Sequence, residues 1–323
     1  MELKYRLYTP EDVPMISKLW QSSTEWGALS SALVSRHLEN APFGKPIFSV
    51  AENAETGEIV GQAVLMPSLI SVKSNPVTAF RPMAAIVDHA LRVRSLNPLQ
   101  HPIFRLFRHG FDEMRRRGEK LVFVLPDPRW RRVIQLMPDV QHAAFPLWSL
   151  TLPLSSPFSL GADYCVSELM KWDQRVDMLF AKAAGQFACM VMRNADALLK
   201  KSGPPEYEVL GVERSGELVG VVASKQKGDR QWLICDLMAA DPEAQTATLK
   251  AVCNLAHLRS TEASAAAPIH KASVLAAPPL LPVVQELGFR RDKYDFHLFV
   301  KLFDNSMSPA DVHPSLWYVS AND

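Results

Sequence analysis

Two stretches of the chain, residues 83–118 and 232–258, share one pattern of apolar and polar positions. Each begins with an apolar segment that carries one aspartate, continues through a polar loop and ends with apolar residues at helical spacing. An apolar run of strand length followed by a period of 3.6 residues is typical of alternating α/β structure. The pattern therefore predicts two similar α/β domains in tandem.

The first half is predicted to alternate strands and helices. Thr9 suits an N-cap and Pro10 a first helical turn, while Gly118 suits a helix end. The predicted strands are 5–8, 46–52, 59–66, 84–93 and 121–125, and the predicted helices are 9–21, 30–39 and 101–117. A strand, a helix and a strand in that order predict a parallel crossover unit.

The second half repeats this order. Its predicted helices are 172–185, 193–200, 242–259 and 279–287, and its predicted strands are 207–212, 218–224, 232–238, 270–275 and 294–302. Breaker residues concentrate between 152 and 161. We therefore predict an α/β fold with mixed sheets, a first domain over residues 1–155, a second over 162–305, and a tail over 306–323.

Composition agrees with a globular protein of two domains. The chain has 323 residues, of which 48% are hydrophobic, and 35 Lys and Arg stand against 34 Asp and Glu. A net charge of +1 gives no general attraction to nucleic acid, and the arginines of residues 105–117 are interpreted as a solvated helix face. The four cysteines are scattered and show no metal-ligand spacing, so we predict no bound metal. We find no apolar signal segment and no membrane-spanning run in the sequence, and we therefore predict a cytoplasmic protein.

Several segments resemble the GNAT superfamily of acyl-CoA-dependent N-acyltransferases. They are YRLYTPEDVPMISKLW, AAIVDHALRVRSLNPLQHPIFRLFRHGFDEMRRRGEKLVFVLPDPRW and, near the end, VVQELGFRRDKYDFHLFVKLF. Together they are similar to proteins with two consecutive GNAT-like domains that are associated with bacterial polysaccharide synthesis. The resemblance implies acetyl-CoA or another acyl-CoA as donor substrate and a small amine, such as an amino sugar, as acceptor. A homodimer is a candidate assembly.

In that family, a glycine-rich turn at the start of the crossover helix holds the pyrophosphate of coenzyme A. The matching stretch of the first domain, residues 95–103, has no glycine. Hydrogen-bond donors and cationic side chains in and around this stretch could still bind an anion. The candidate cofactor-binding residues are Val87, His89, Arg92, Arg94, Gln100, His101 and Asp127. In the second domain, Asp241 and Glu243 would repel a phosphate, so Asp241-Pro242 is interpreted as a helix cap.

The candidate catalytic residues are two aspartates and a tyrosine. Asp88 and Asp236 each lie in an apolar segment, where burial would raise the pKa of a carboxyl group and suit a general base. Each aspartate could instead form a structural hydrogen bond or ion pair with a buried backbone group or arginine. We favour this structural role for Asp236 and give it the same weight as the catalytic role for Asp88. Tyr294 is the candidate for protonating the leaving thiolate, although strand packing is the more common role for such a residue.

Three functions fit these features. The first is an N-acyltransferase with acyl-CoA bound to the first domain. The second is a binding or regulatory protein that keeps the tandem fold without catalysis, which the glycine-free loops favour. The third is an aminoacyl-transfer enzyme, for which the sequence offers no distinct feature.

Overall fold

The computed structural model describes residues 2–24, 41, 43–92, 97–228, 230–262 and 268–323. The chain divides into two compact units, and each combines several stretches of sequence. The first contains residues 1–70, 77–142 and 298–310, and the second contains residues 71–76, 143–297 and 311–323. The predicted domains, 1–155 and 162–305, were continuous stretches. The units differ from them because residues 298–310 return to the first unit.

The first unit contains an α/β arrangement with helices on both faces of a mixed sheet. Its elements are β1 (Leu3–Leu7), α1 (Val13–Ser23), β2 (Ile47–Asn53), β3 (Ile59–Val72), β4 (Asn75–Val87), α2 (Pro102–Arg117), β5 (Leu121–Val124) and α3 (Arg131–Ile134), except that the last two residues of β3 and the first two of β4 belong to the second unit. The sheet order is β1-β2-β3-β4-β5, followed by the end of β13 (Arg290–Leu302). The predicted helix over 30–39 lies outside the described residues.

The two faces of this sheet follow the two-residue period of its strands. Phe48 and Val64 face α1, where they pack with Ile16 and Leu19. Their chain neighbours point to the opposite face, on which Ile47 and Leu65 pack with Phe111 and Met114 of α2. Helix α2 ends as predicted at Gly118, which has a φ of +72°.

The long hairpin of β3 and β4 differs from its prediction. Strand β3 continues past Pro67 to Val72, and β4 runs from Asn75 to Val87 instead of over 84–93. The turn between them is Lys73-Ser74, with φ values of 49° and 65°. Positive φ at both central residues is the geometry of a two-residue hairpin turn. Neither residue is glycine or asparagine, so the sequence lacks the usual signal for a two-residue hairpin turn at these positions.

The second unit repeats the strand–helix–strand order. Its elements are β6 (Val140–Thr151, of which the first residues belong to the first unit), β7 (Tyr164–Glu168), α4 (Gln174–Ala184), β8 (Cys189–Val191), α5 (Ala195–Ser202), β9 (Glu208–Arg214), β10 (Glu217–Lys227), β11 (Gln231–Ala239), α6 (Pro242–Thr261), β12 (Lys271–Leu275), α7 (Leu281–Glu286), most of β13, and β14 (Trp317–Tyr318). The sheet order is β6-β12-β11-β10-β9-β7, and β14 pairs with β8.

Both units contain the predicted parallel crossover. Strand β11 is parallel to β12 across α6, as β4 is parallel to β5 across α2. Helix α6 lies so close to β10 that a Cβ added at Gly220 would collide with Thr248. The fold is therefore the predicted α/β class with mixed sheets. Within the described part of the chain, no helix is both long and apolar enough to cross a membrane.

Candidate active site

A cavity lies in the first unit where β4 and β5 separate. The two strands pair in parallel at Phe80 and Val122. Beyond that pair, residues 82–85 and 124–127 line one cavity of about 330 Å³. The carboxyl ends of adjacent parallel strands are a common position for ligands in α/β proteins.

The backbone of β4 changes direction at the wall of this cavity. Ala84 has a φ of +46°, a conformation that residues with a Cβ rarely adopt. The buried side chain of Gln62, on β3, donates from Nε2 to the carbonyl oxygen of Ala84 at 3.1 Å. An irregular strand residue held by a buried side chain next to a cavity is typical of a functional site.

Helix α2 supplies an aromatic wall. Phe104, Phe107 and Phe111 follow one another at helical spacing and therefore lie on one face of the helix. The rings of Phe107 and Phe111 stack with centroids 6.3 Å apart, and Trp130 tilts against Phe104 at 6.4 Å. The remaining apolar lining comes from Pro82, Met83, Ala84, Ala85, Val122, Val124, Leu125, Pro126, Ile134, Met137, Val140, Phe299 and Val300.

Two charged side chains also line the cavity. Asp127 is exposed, and its backbone oxygen accepts from Trp130 N–H at 2.9 Å. Lys301, on β13, is only 7% exposed, and its Nζ donates to the carbonyl oxygen of Pro138 at 2.6 Å. Burial lowers the pKa of Lys301. Lys301 was not among the candidates from sequence, although its position inside the apolar run HLFVKLF is the same kind of signal that indicated Asp88.

Among the described candidates from sequence, only Asp127 lines the cavity. Val87 is the buried last residue of β4, and Asp88 follows it, half-buried, outside the strand. The Oδ1 atom of Asp88 accepts from Ala90 N–H at 2.8 Å, so this carboxylate caps the short 3-10 turn His89–Leu91. Asp236 lies within β11, so the two aspartates do not occupy equivalent positions.

The other candidates lie in the connection from β4 to α2. His89 and Gln100 are exposed. Arg92 donates from Nε to Val87 O at 3.1 Å and from Nη2 to Ser23 O. Arg94 lies outside the described residues.

His101 is the N-cap of α2 and occupies the donors of its first turn. Pro102 has no N–H, Ile103 N–H donates to His101 Nδ1 at 3.3 Å, and Phe104 N–H donates to the His101 carbonyl at 2.9 Å. Burial lowers the pKa of His101, which favours the neutral imidazole that can accept this bond. This start of α2 differs from the glycine-rich cradle of open N–H groups that the family uses.

In the second unit, Asp236 belongs to a buried ionic cluster. Its Oδ1 accepts from Arg193 Nε at 2.7 Å and from Ser320 Oγ at 3.0 Å, and Oδ2 lies 2.8 Å from Lys201 Nζ. Arg193 is fully buried and also pairs with Asp323. Despite burial, Arg193 and Lys201 hold the pKa of Asp323 well below its usual range. This is the arrangement expected of an aspartate that satisfies a buried arginine.

The two remaining predictions for the second unit concern Asp241 and Tyr294. Asp241 caps α6, since its Oδ1 accepts from Ala244 N–H at 2.8 Å and its Oδ2 accepts from Arg214 at 2.7 Å. The predicted cap is thereby confirmed. Tyr294 lies on β13 with 61% of its surface exposed.

No family model and no curated protein matches the chain. Solved structures share its fold. A GCN5-related N-acetyltransferase from Kribbella flavida matches 93% of this chain and 71% of its own, at 14% identity and a TM-score of 0.63. A tandem GNAT protein from the clavulanic acid biosynthesis pathway matches 95% of this chain and all of its own, at 15% identity and a TM-score of 0.57.

N-myristoyltransferase from Saccharomyces cerevisiae, solved with bound myristoyl-CoA, also shares the fold. It matches 93% of this chain and 79% of its own, at 11% identity and a TM-score of 0.57. Identities this low show a common fold and not a common activity. The chain therefore has the GNAT fold, and its two-unit layout is consistent with the tandem protein.

Replacing Asp236 with asparagine should lower the free energy of unfolding by about 3 kcal/mol, because it leaves the buried Arg193 with one carboxylate fewer. Denaturant unfolding followed by circular dichroism measures the change. The matched control is Asp177→Asn, since Asp177 is exposed and its Oδ1 accepts from Ala195 N–H. We expect the control to change stability by less than about 0.5 kcal/mol. Equal effects from both variants would contradict a structural role for Asp236.

Proposed function

We propose that this protein is an N-acyltransferase that moves an acyl group from an acyl-CoA to a small-molecule amine. The observation that carries the proposal is the apolar cavity of the first unit, which opens where two parallel strands of a GNAT fold separate. Two proteins of the same fold are a GCN5-related N-acetyltransferase and an N-myristoyltransferase with bound myristoyl-CoA, and both activities use an acyl thioester.

The reaction requires a thioester carbonyl held near an amine. The amine nitrogen bonds to the carbonyl carbon, the C–S bond breaks, and the sulfur leaves with the bonding electron pair. A base takes the proton that the amine loses, and the leaving thiolate takes up a proton to become coenzyme A. A backbone N–H of β4 near Ala84 would donate to the carbonyl oxygen and stabilise the negative charge that develops there.

Asp127 is our candidate for the base. It is the carboxylate that lines the cavity among the described residues, and its exposure gives an incoming amine access. Asp88, the candidate from the sequence, lies one residue past the end of β4 and caps the following turn. We retain it as the alternative. Asp236 and Tyr294 belong to the second unit and have no part in this proposal.

Coenzyme A would extend from the cavity toward the connection between β4 and α2. Since His101 occupies the first N–H groups of α2, the pyrophosphate would be held by side chains instead of a backbone cradle. The candidates are His89, Arg92, Arg94 and Gln100. An amino sugar as acceptor, a cytoplasmic location and a homodimer complete the proposal.

Calorimetric titration with acetyl-CoA and desulfo-CoA tests donor binding. We expect saturation below millimolar ligand. Val124→Phe should weaken binding about tenfold or more, because a phenyl ring at this position on β5 fills part of the cavity. The control Val77→Phe makes the same change on β4 at a residue that does not line the cavity. No binding to the wild-type protein at millimolar ligand would favour the non-catalytic alternative.

A comparison of Asp127→Asn with Asp88→Asn tests the assignment of the base. Asparagine keeps a side-chain oxygen, so the turn at Ala90 stays capped in Asp88→Asn, but neither amide can take a proton. We expect Asp127→Asn to lower kcat by about 10²–10⁴ with little change in donor affinity. Turnover can be followed with a thiol reagent in the presence of an amine. A loss confined to Asp88→Asn would transfer the role to Asp88, and full activity in both variants would exclude carboxylate catalysis at these positions.

A further inference from the structure

The cavity of the first unit is much larger than an acetyl group requires. Its volume of about 330 Å³ is roughly twice that of the apolar cavity of about 150 Å³ that holds one benzene ring. An acetyl group has a single methyl beyond its carbonyl carbon. The acetyl group by itself would therefore occupy only a small part of this volume.

The walls of the cavity also select for hydrocarbon. Phe104, Phe107 and Phe111 form one wall, and Trp130 stands against the first of them. A polar acyl group would lose its hydration there without gaining hydrogen-bond partners from these side chains.

The two charged residues of the lining do not alter this preference. Lys301 Nζ donates to Pro138 O, and the Asp139 carboxylate lies 3.7 Å from the same nitrogen. Asp127 is exposed, so its carboxylate keeps access to solvent.

We propose that the donor is the coenzyme A thioester of an unbranched fatty acid with about eight to twelve carbon atoms, whose chain fills this cavity. The inference rests on the proposed function, which it extends by assigning the chain length. A cavity of about 150 Å³ holds one ring of six carbon atoms. A cavity of about 330 Å³ therefore has room for about twelve carbon atoms. The methylene groups of the acyl chain would be removed from water by the three phenylalanines, Trp130, Ile134 and Met137.

The test is a binding series of acetyl-, butanoyl-, octanoyl- and dodecanoyl-CoA, measured by calorimetry on the full chain below the micelle concentration of each thioester. Each buried methylene can add up to about fourfold in affinity, so we expect dodecanoyl-CoA to bind about a hundredfold or more tightly than acetyl-CoA. Equal affinities, or a preference for acetyl-CoA, would overturn the chain-length inference and leave the proposed function intact. No binding by any thioester would overturn both.

A pair of variants tests whether the acyl chain of the donor lies in the cavity. Ile134 lines the cavity on α3, and Ile134→Phe should reduce the ratio of dodecanoyl-CoA to acetyl-CoA affinity about tenfold. Leu136, two residues further along, is 55% exposed and does not line the cavity. The control Leu136→Phe should leave the ratio unchanged. Circular dichroism establishes that both variants fold, and an unchanged ratio in folded Ile134→Phe would place the chain elsewhere and overturn the inference.

Discussion

The separation of β4 from β5 is the constraint on which the proposed site depends. Parallel strands that stayed paired to their ends would leave no space between residues 82–85 and 124–127. The bond from Gln62 to Ala84 O holds β4 in its irregular conformation. The aromatic face of α2 lines the resulting gap, so this wall of the cavity is apolar. One local distortion and one helix face together form the cavity in which we propose that the acyl thioester binds.

The two units use their corresponding crossovers differently. In the second unit, β11 pairs with β12 only from Gln231–Lys271 to Ile234–Val274, and Asp236, which follows the last pair on β11, is bound by Arg193. In the first unit, Asp88 lies beyond the end of β4, and the start of α2 is capped by His101. The same strand–helix–strand order thus yields a buried ionic cluster in one unit and an open apolar cavity in the other. This contrast is why the proposed chemistry is assigned to the first unit.

Much of the fold could be predicted from local patterns, because α2 and α6 carry clear signals at both ends. The cap Asp241-Pro242 of α6 and the end of α2 at Gly118 indicated bounds close to those observed. Strand β4 was misplaced because the turn Lys73-Ser74 lacks the residues that usually adopt positive φ. Strand β6 was missed altogether, since its exposed and buried residues follow no clean alternation.

The candidate site was harder to predict than the fold. The cavity combines residues from distant parts of the chain, and Phe299–Lys301 reach it only because β13 pairs with β5. No local pattern reports such a pairing. Asp127 was among the cofactor-binding candidates from sequence. Lys301 was not, and although its apolar neighbours were visible in the sequence, its contacts with residues 138–139 depend on the tertiary structure.

Hydrogen–deuterium exchange with and without dodecanoyl-CoA can locate the acyl-thioester site, because it reports on both units in the intact protein. We expect slower exchange of backbone amides over residues 82–87, 103–111 and 121–127, with no change over the crossover of the second unit, residues 231–261. Protection confined to the second unit, or none in the first, would contradict the assignment of the acyl-thioester site to the cavity between β4 and β5.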